Sequence, residues 1–523
     1  MRASLQLLAS AGRPGWPGLT LSGDDLQAAT EVCERLDNLP LALELAAARL
    51  TVLTPVQLRD RLADPLELLQ RPGRNVLERH RSLRATIDWT LGLLHPASRS
   101  LFTCLGVFAA SASLADMESV LAASGTNVVD ALDELMEFAL VRRVEEGDGI
   151  VRFQQPEALK EVSDHELRTS PEADRWRRAH AQHILAVIFP ARLLTLCTTA
   201  VHAAAVHLNA DTARAYRWAR RNDPGLGTAL AAAWSLRLAF EGHLREADPL
   251  IAHVLNSTEV AAEVRAQALF ARGVAQMSRG ELAQALALAD EAVRLAEPSD
   301  SDLLTAFLAG RGGLRAFMGD LAGGIHDTTR ASQRAREMGE AALAGTLFFE
   351  AQVQIMAGHL GLAEELSRSA AELGRLSGAW AISGLATQSG DLALAAARPG
   401  EALGHYGRSL ADAEARQDDG QVVFDLCSMS QCLMMLDHHA DALELLGLAE
   451  AHAGQAYGTP AFTMHAVGAE QIQTSVAAVG QTAADRQRAA GRAVPPAERG
   501  NRARELARQF TVDVHPTTGP NPA

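Results

Sequence analysis

The chain has 523 residues, of which 48% are hydrophobic, 21% charged and only 4% aromatic, and its formal net charge is −15. That length allows three or four domains of ordinary size, and the composition is that of a folded globular protein. The acidic balance opposes extended contact with DNA or an anionic membrane, which requires phosphates to be neutralised, and no stretch reaches about 18 uninterrupted apolar residues, so no membrane-spanning helix is expected.

In chain order, "MRASLQLLASAG" has one Arg and a short apolar stretch that runs into Gly and Pro, without a secretory core. Residues 24–70 read as three helices. "DDLQAATEVCERL" has apolar positions at helical spacing. In "NLPLALELAAARL", Asn38 suits a helix cap and Pro40 a first turn, where its missing N–H costs nothing. "TPVQLRDRL" repeats that grammar, with Thr54 and Gln57 as a capping box. Residues 1–75 are therefore expected to form a small helical arm domain.

Residues 76–170 read as helices followed by a hairpin. "LRATIDWTLGLLHPASRSLFTCLGVF" breaks at His95–Pro96, and "DMESVLAAS" and "NVVDALDELMEFALV" follow. "VRRVEEGDGIVRFQQ" then gives two short strands around a Gly-containing turn. Helices ending in a short β-hairpin predict a winged-helix domain. Residues 171–227 are read as a helical linker.

From about 228 to 460 the chain repeats itself. The small residues Ala247, Ala285, Gly324, Ala363, Ala402 and Ala442 recur at spacings of 38, 39, 39, 39 and 40. A Gly lies five residues ahead of four of them (Gly242, Gly280, Gly319, Gly358). Another small residue follows by seven in five copies (Ala292, Ala331, Ala370, Ser409, Ala449). Each copy reads as a helical hairpin: the Gly turns the chain, and the small residues let helices approach closely. The pattern resembles the tetratricopeptide repeat, stretched from its period of ~34. A helical segment, 461–510, and a Pro- and Thr-rich tail, 511–523, expected to be disordered, complete the chain. The fold class expected is mainly α: arm, winged helix, then an α-solenoid of tetratricopeptide-like hairpins.

Several segments resemble one family. "EVCERLDNLPLALELAAARL", "RHRSLRATIDWTLGLLHPASRSLFTCLGVFAASASLADMESV" and "VRFQQPEALKEV" are similar to the STAND signal-transduction NTPases with an NB-ARC-like core. The likeness is to the bacterial branch of large LuxR-type and AfsR/SARP-type transcriptional regulators. It runs from about residue 1 to 460. The resemblance implies a nucleotide switch, using ATP or ADP in the full-length family, and a DNA-binding effector domain at one end. It places the family's Gly-Leu-Pro-Leu motif on Asn38, Leu39, Pro40 and Leu41, with Leu39, Pro40 and Leu41 on the adenine side. It places the winged-helix sensor motif near Gln155, Pro156 and Glu157, where the family's His is missing.

The chain's own residues do not supply that switch. Lys160 is the single lysine and has no glycine near it, so no P-loop is formed, because a P-loop needs a lysine after its glycines. No cofactor is expected to be held by this chain alone, and a separate or upstream NTPase core is implied. No metal site is expected either: His180 and His183 form an H-x-x-H without a third ligand and read as helix packing. His438 and His439 read as exposed turn histidines, and Asp88–Trp89 as packing. No G-x-S-x-G elbow appears. Cys33, Cys104, Cys197, Cys427 and Cys432 are scattered, as buried thiols of a cytoplasmic protein would be.

The repeats carry the remaining weight. Arg272, Gln276, Arg315, Gln352 and Gln354 fall on the first helices of the hairpins, where they could line a concave surface for a protein or small-molecule effector. The expected function is signal sensing, as the sensor part of a STAND-type transcriptional regulator without NTP hydrolysis of its own. The alternative is a stand-alone scaffold of repeats. No catalytic residues and no membrane partner are expected.

Overall fold

A computed structural model describes residues 23–35, 43, 46–47, 50, 53–60, 87–146, 150–188, 199–376, 382–416 and 418–511. The chain divides into two compact units, Met1–His183 and Ile184–Ala523. Among the described residues the fold is mainly α with one small sheet.

In the first unit, helix α1 (Asp24–Arg35) buries Ala28, Ala29, Val32 and Cys33 on one side. The capping box at Thr54 forms as expected. Thr54 N donates to Gln57 Oε1 at 3.1 Å, and Gln57 N donates to Thr54 Oγ1 at 3.2 Å. The helical residues 87–93 end before His95, which caps α2 (Pro96–Cys104) with Pro96 in the first turn. Then come β1 (Ser111–Ser113), α3 (Leu114–Leu121), α4 (Val128–Glu137), β2 (Arg142–Glu146), β3 (Ile150–Gln154) and α5 (Glu157–Thr169). The hairpin pairs Arg142 with Gln154 and Glu146 with Ile150. Its partner β1 was not expected; it makes the sheet three-stranded, in the order β1-β3-β2. Leu101, Phe102, Met117, Leu135, Leu159 and Trp176 centre the core of this unit. Helix α6 (Ala173–Ile188) contains the division between the units.

The second unit opens with α7 (Thr199–Asn222). Six hairpins follow: α8 (Pro224–Phe240) with α9 (Leu244–Asn256), α10 (Ala262–Ser278) with α11 (Leu282–Ala296), α12 (Asp302–Phe317) with α13 (Leu321–Met338), α14 (Glu340–Met356) with α15 (Leu360–Leu376), α16 (Ile382–Ala395) with α17 (Pro399–Arg416), and α18 (Asp419–Met435) with α19 (His439–Tyr457). Together they form an α-solenoid of tetratricopeptide-like hairpins. The first helix of each pair packs on its own partner, and the second helix packs on the first helix of the next pair. The chain continues as α20 (Ala461–Val467), α21 (Ala469–Val479), α22 (Gln481–Ala493) and α23 (Arg499–Ala507).

The repeat register is physical. Ala247, Ala285, Ala363, Ala402 and Ala442 are fully buried, as are Ala292, Ala331, Ala370, Ser409 and Ala449. Gly312 and Gly324 face each other across α12 and α13, and a Cβ on Gly324 would lie 2.8 Å from the Gly312 carbonyl oxygen. All six turns take the left-handed conformation. Four use Gly242, Gly280, Gly319 and Gly358; the other two put Ala397 (φ 56) and Asp437 (φ 62) there. The residue after each turn donates its N–H five residues back, closing the preceding helix: His243 to Leu238, Glu281 to Gln276, Asp320 to Arg315, His359 to Gln354, Arg398 to Ala393 and His438 to Leu433. These bonds satisfy carbonyls that a helix end leaves open.

A side chain at such a position costs about 1–2 kcal/mol, because its Cβ crowds the backbone. Ala397→Gly should therefore raise stability by up to about 1 kcal/mol, part of the gain being offset by glycine's freedom in the unfolded chain. Gly358→Ala, which has open space around it, should lower stability by about 1 kcal/mol through backbone strain alone. Urea unfolding of the two variants checks both signs.

Candidate functional site

The three nucleotide-motif candidates, Leu39, Pro40 and Leu41, lie outside the described residues. At the end of the first unit's hairpin, Pro156 starts α5. Gln155 is buried beside it and accepts a hydrogen bond from Ser163 Oγ at 2.7 Å. Lys160 donates to the Gly106 carbonyl at 3.1 Å and to Asp164 at 2.6 Å. His180 packs edge-on against Phe108, with ring centroids 5.1 Å apart. His183 reaches Asp116 at 2.7 Å, and Asp116 also closes the capping box of Ser113. These partners hold the Asp116 carboxyl below its ordinary pKa against the opposing effect of its burial. Among the described residues no group of His, Cys, Asp and Glu is arranged to hold a metal.

The five repeat candidates separate. Arg272 is exposed and Gln276 half-buried, and both line a shallow cleft of about 490 Å³ with Asp248, Arg279 and Gln284. Arg315 is half-buried and held by ion pairs. With Arg311 it grips the buried Asp327, and each arginine also reaches Asp290 at 3.0 Å. Gln354 is buried and bonded to His359 Nδ1 at 2.7 Å, so it lines no surface. Gln352 donates to Asp391 at 2.7 Å.

That last bond leads into a polar cluster inside hairpins four to six. Asp391 accepts from Tyr406 Oη at 2.5 Å, and Tyr406 is fully buried. Gly390 makes room for the ring, since a Cβ there would lie 2.7 Å from Tyr406 Cε1. Nearby, Asp425 is fully buried and accepts from Gln421 Nε2 at 2.9 Å. Thr387 and Ser409 share a hydrogen bond of 2.7 Å beside it. Burial pushes Asp391 up to about 6, opposed by its bonds to Tyr406 and Gln352. Burial likewise pushes Asp425 well above the carboxylate range. Sequence reasoning picked out Gln352 but neither aspartate. The available signal was a carboxylate within an otherwise apolar helix, as in "SGDLALAAA" and "VVFDLCSM".

The layer of first helices is covered in part. Helix α20 touches α10, α18 and α19, and Phe462 stacks on Phe317 of α12 at 6.5 Å and 17°. It thus bridges the first helices of hairpins two, three and six. The first hairpin also meets the last: a Cβ on Gly242 would lie 3.1 Å from the Gly420 nitrogen and 3.3 Å from Asp419 Cβ. The Arg-rich C-terminal segment packs back on acids of α17 and α19. Arg492 reaches Glu450, Arg502 reaches Glu444 and Arg504 reaches Glu414, each at 2.7 Å. His438 is exposed at the sixth turn, as expected, while His439 is half-buried. His438 lies against the Phe510 ring at 3.8 Å, and His439 meets Ser475 Oγ at 3.1 Å.

No protein-family model matches the chain. A provisionally named HTH-type transcriptional regulator of Mycobacterium tuberculosis is 32% identical over 254 residues, which is 46% of this chain and 28% of that protein. An uncharacterised M. tuberculosis protein is 29% identical over 185 residues, covering 35% of this chain and 47% of that protein. The chain thus spans less than half the length of these curated relatives. Among solved structures, a STAND protein with a tetratricopeptide repeat sensor from Pyrococcus horikoshii aligns over 90% of this chain and 68% of that one, at 13% identity and a TM-score of 0.38. No described helix is long and apolar enough to cross a membrane.

The cluster makes stability depend on pH. Asp391 has its pKa raised from 3.8 to about 6 on folding, so the folded state binds the proton more tightly. Its contribution is complete below about pH 4 and is lost as pH rises to about 6. Asp391→Asn keeps an acceptor for Tyr406, and Gln352 can turn its amide to match. The variant should exceed the native chain by about 2–3 kcal/mol at pH 7.5, at ~1.4 kcal/mol per pKa unit, with the gap closing toward pH 4. Urea midpoints across that range measure it.

Proposed function

We propose that this chain is the sensing part of a STAND-type transcriptional regulator, acting by binding an effector or protein partner and not by catalysis. The observation that carries this reading is the six-hairpin array, which offers binding surface and buried ionisable groups but no reactive constellation among the described residues. The name of the first mycobacterial relative, an HTH-type transcriptional regulator, supports a regulatory role.

The first unit fits the reading as a winged helix. Its order of helix, strand, two helices and hairpin is that of such a domain. In a DNA-reading winged helix, α4 would enter the groove. Here α4 carries Asp130, Asp133, Glu134 and Glu137 and no basic residue. Four carboxylates repel the phosphates that such a helix must approach. The unit therefore serves as a packing module, and DNA is met through another domain.

Nucleotide hydrolysis is likewise assigned elsewhere. The sole lysine is committed to Gly106 and Asp164, so these residues offer no lysine to cradle a γ-phosphate. In the second reading, a stand-alone scaffold, the array works without the first unit; its closure and its packed C-terminal helices favour that reading. Incubating the purified chain with Mg-ATP tests the assignment. No turnover above buffer and no tight nucleotide binding are expected. Hydrolysis by the chain alone would contradict it.

A further inference from the structure

We propose that residues 459–467 are an internal ligand of the array, lying where a short apolar helix of a partner protein docks. The proposal rests on the reading of the array as a partner-binding sensor.

The segment is built to leave. Gly458 (φ 78) and Gly468 (φ 91) bound it, both in the left-handed region. Its helix, α20, has seven residues. Its last carbonyls are satisfied from outside: Gln431 Nε2 on α18 donates to Ala466 O at 2.9 Å and Val467 O at 3.1 Å. Val467 packs in the core of the array, the half-buried Phe462 packs against that core, and Thr463 is fully buried. Both flanks are held without it. Upstream, α19 is part of hairpin six. Downstream, α21 is tied to α19 through His439 and Ser475, and α22 crosses α19 so closely that a methyl on Gly447 would collide with the Arg488 carbonyl and one on Gly491 with the Glu444 carbonyl. The strap can therefore detach while the C-terminal helices stay in place.

The groove indicates its occupant. It takes an aromatic ring on Phe317, an aliphatic side chain five residues later, and helix-end carbonyls on Gln431. Met318, next to Phe317, and Met435, one turn beyond Gln431, remain 40% and 50% exposed. A seven-residue helix is only about 10 Å long; a longer one could cover these adaptable side chains too. The partner is thus an uncharged, aromatic-anchored helix laid in a groove, in competition with a tethered copy of itself.

The probe is a fluorescein-labelled peptide of residues 458–468, titrated into the full chain with anisotropy as readout. The native chain should bind it weakly. Phe462→Ala and Gln431→Ala loosen the strap, and Phe462→Ala should tighten peptide binding at least tenfold. Adding Phe317→Ala to Phe462→Ala should abolish that gain. Equal binding by all chains, or none by any, overturns the proposal. Loss of the helical circular dichroism signal in both Phe462→Ala and Gln431→Ala also overturns it, by making α20 an obligatory part of the core. ATP hydrolysis by the chain would sink the sensor reading while leaving the peptide result standing.

Discussion

Close contact between helices at buried small residues, set by a left-handed turn five residues earlier, is the constraint on which the array depends. A hairpin can stack on the next only if its second helix lies near both its own partner and the following helix. Ala285, Ala363 and Ala402 leave no side chain beyond a methyl in that space, and Gly324 leaves none. The turn fixes where each second helix starts, so the small residue meets the correct groove. Six repetitions at nearly constant spacing then bury one continuous core from Ala231 to Ala507.

The parts of the fold legible in the sequence are those set locally. The capping box at Thr54, the helix start at Pro96, the hairpin of β2 and β3, and the repeat register depend on residues within a few positions of one another. Where Gly is absent from the turn, Ala397 and Asp437 still adopt the left-handed conformation, because the flanking helices impose it. Strand β1 was not legible: three residues gain their identity only by pairing with Arg152, Phe153 and Gln154. The contact of hairpin one with hairpin six joins residues almost 180 positions apart, which no local period encodes.

The candidate site was legible in part for the same reason. Placing polar residues on the first helices was enough to find Gln352, but not to say what it faces. Gln354 and Arg315 share that helix layer, yet Gln354 is buried and bonded to the turn residue His359, and Arg315 is half-buried and paired with Asp327. The sequence marks the Arg-rich stretch within 461–510 as helical without saying what it packs on. Its arginines are partners for Glu414, Glu444 and Glu450 on the last hairpins. A polar pattern cannot tell a free surface from one covered by the chain's own continuation. In this array the covering element, α20, lies beyond the last repeat and outside its period.

Contact of hairpin one with hairpin six, with α20 laid over part of the first-helix layer, distinguishes this array from an open solenoid. Gly242→Cys combined with Asp419→Cys tests it directly, since the two Cβ positions lie 3.3 Å apart, near the ~3.5–4.5 Å of a disulfide. Mild oxidation of the folded double variant should give an intramolecular cross-link, seen as a mobility shift between non-reducing and reducing gels. Two thiols that stay free to react in the folded chain would mean that hairpins one and six do not meet, and would contradict the account.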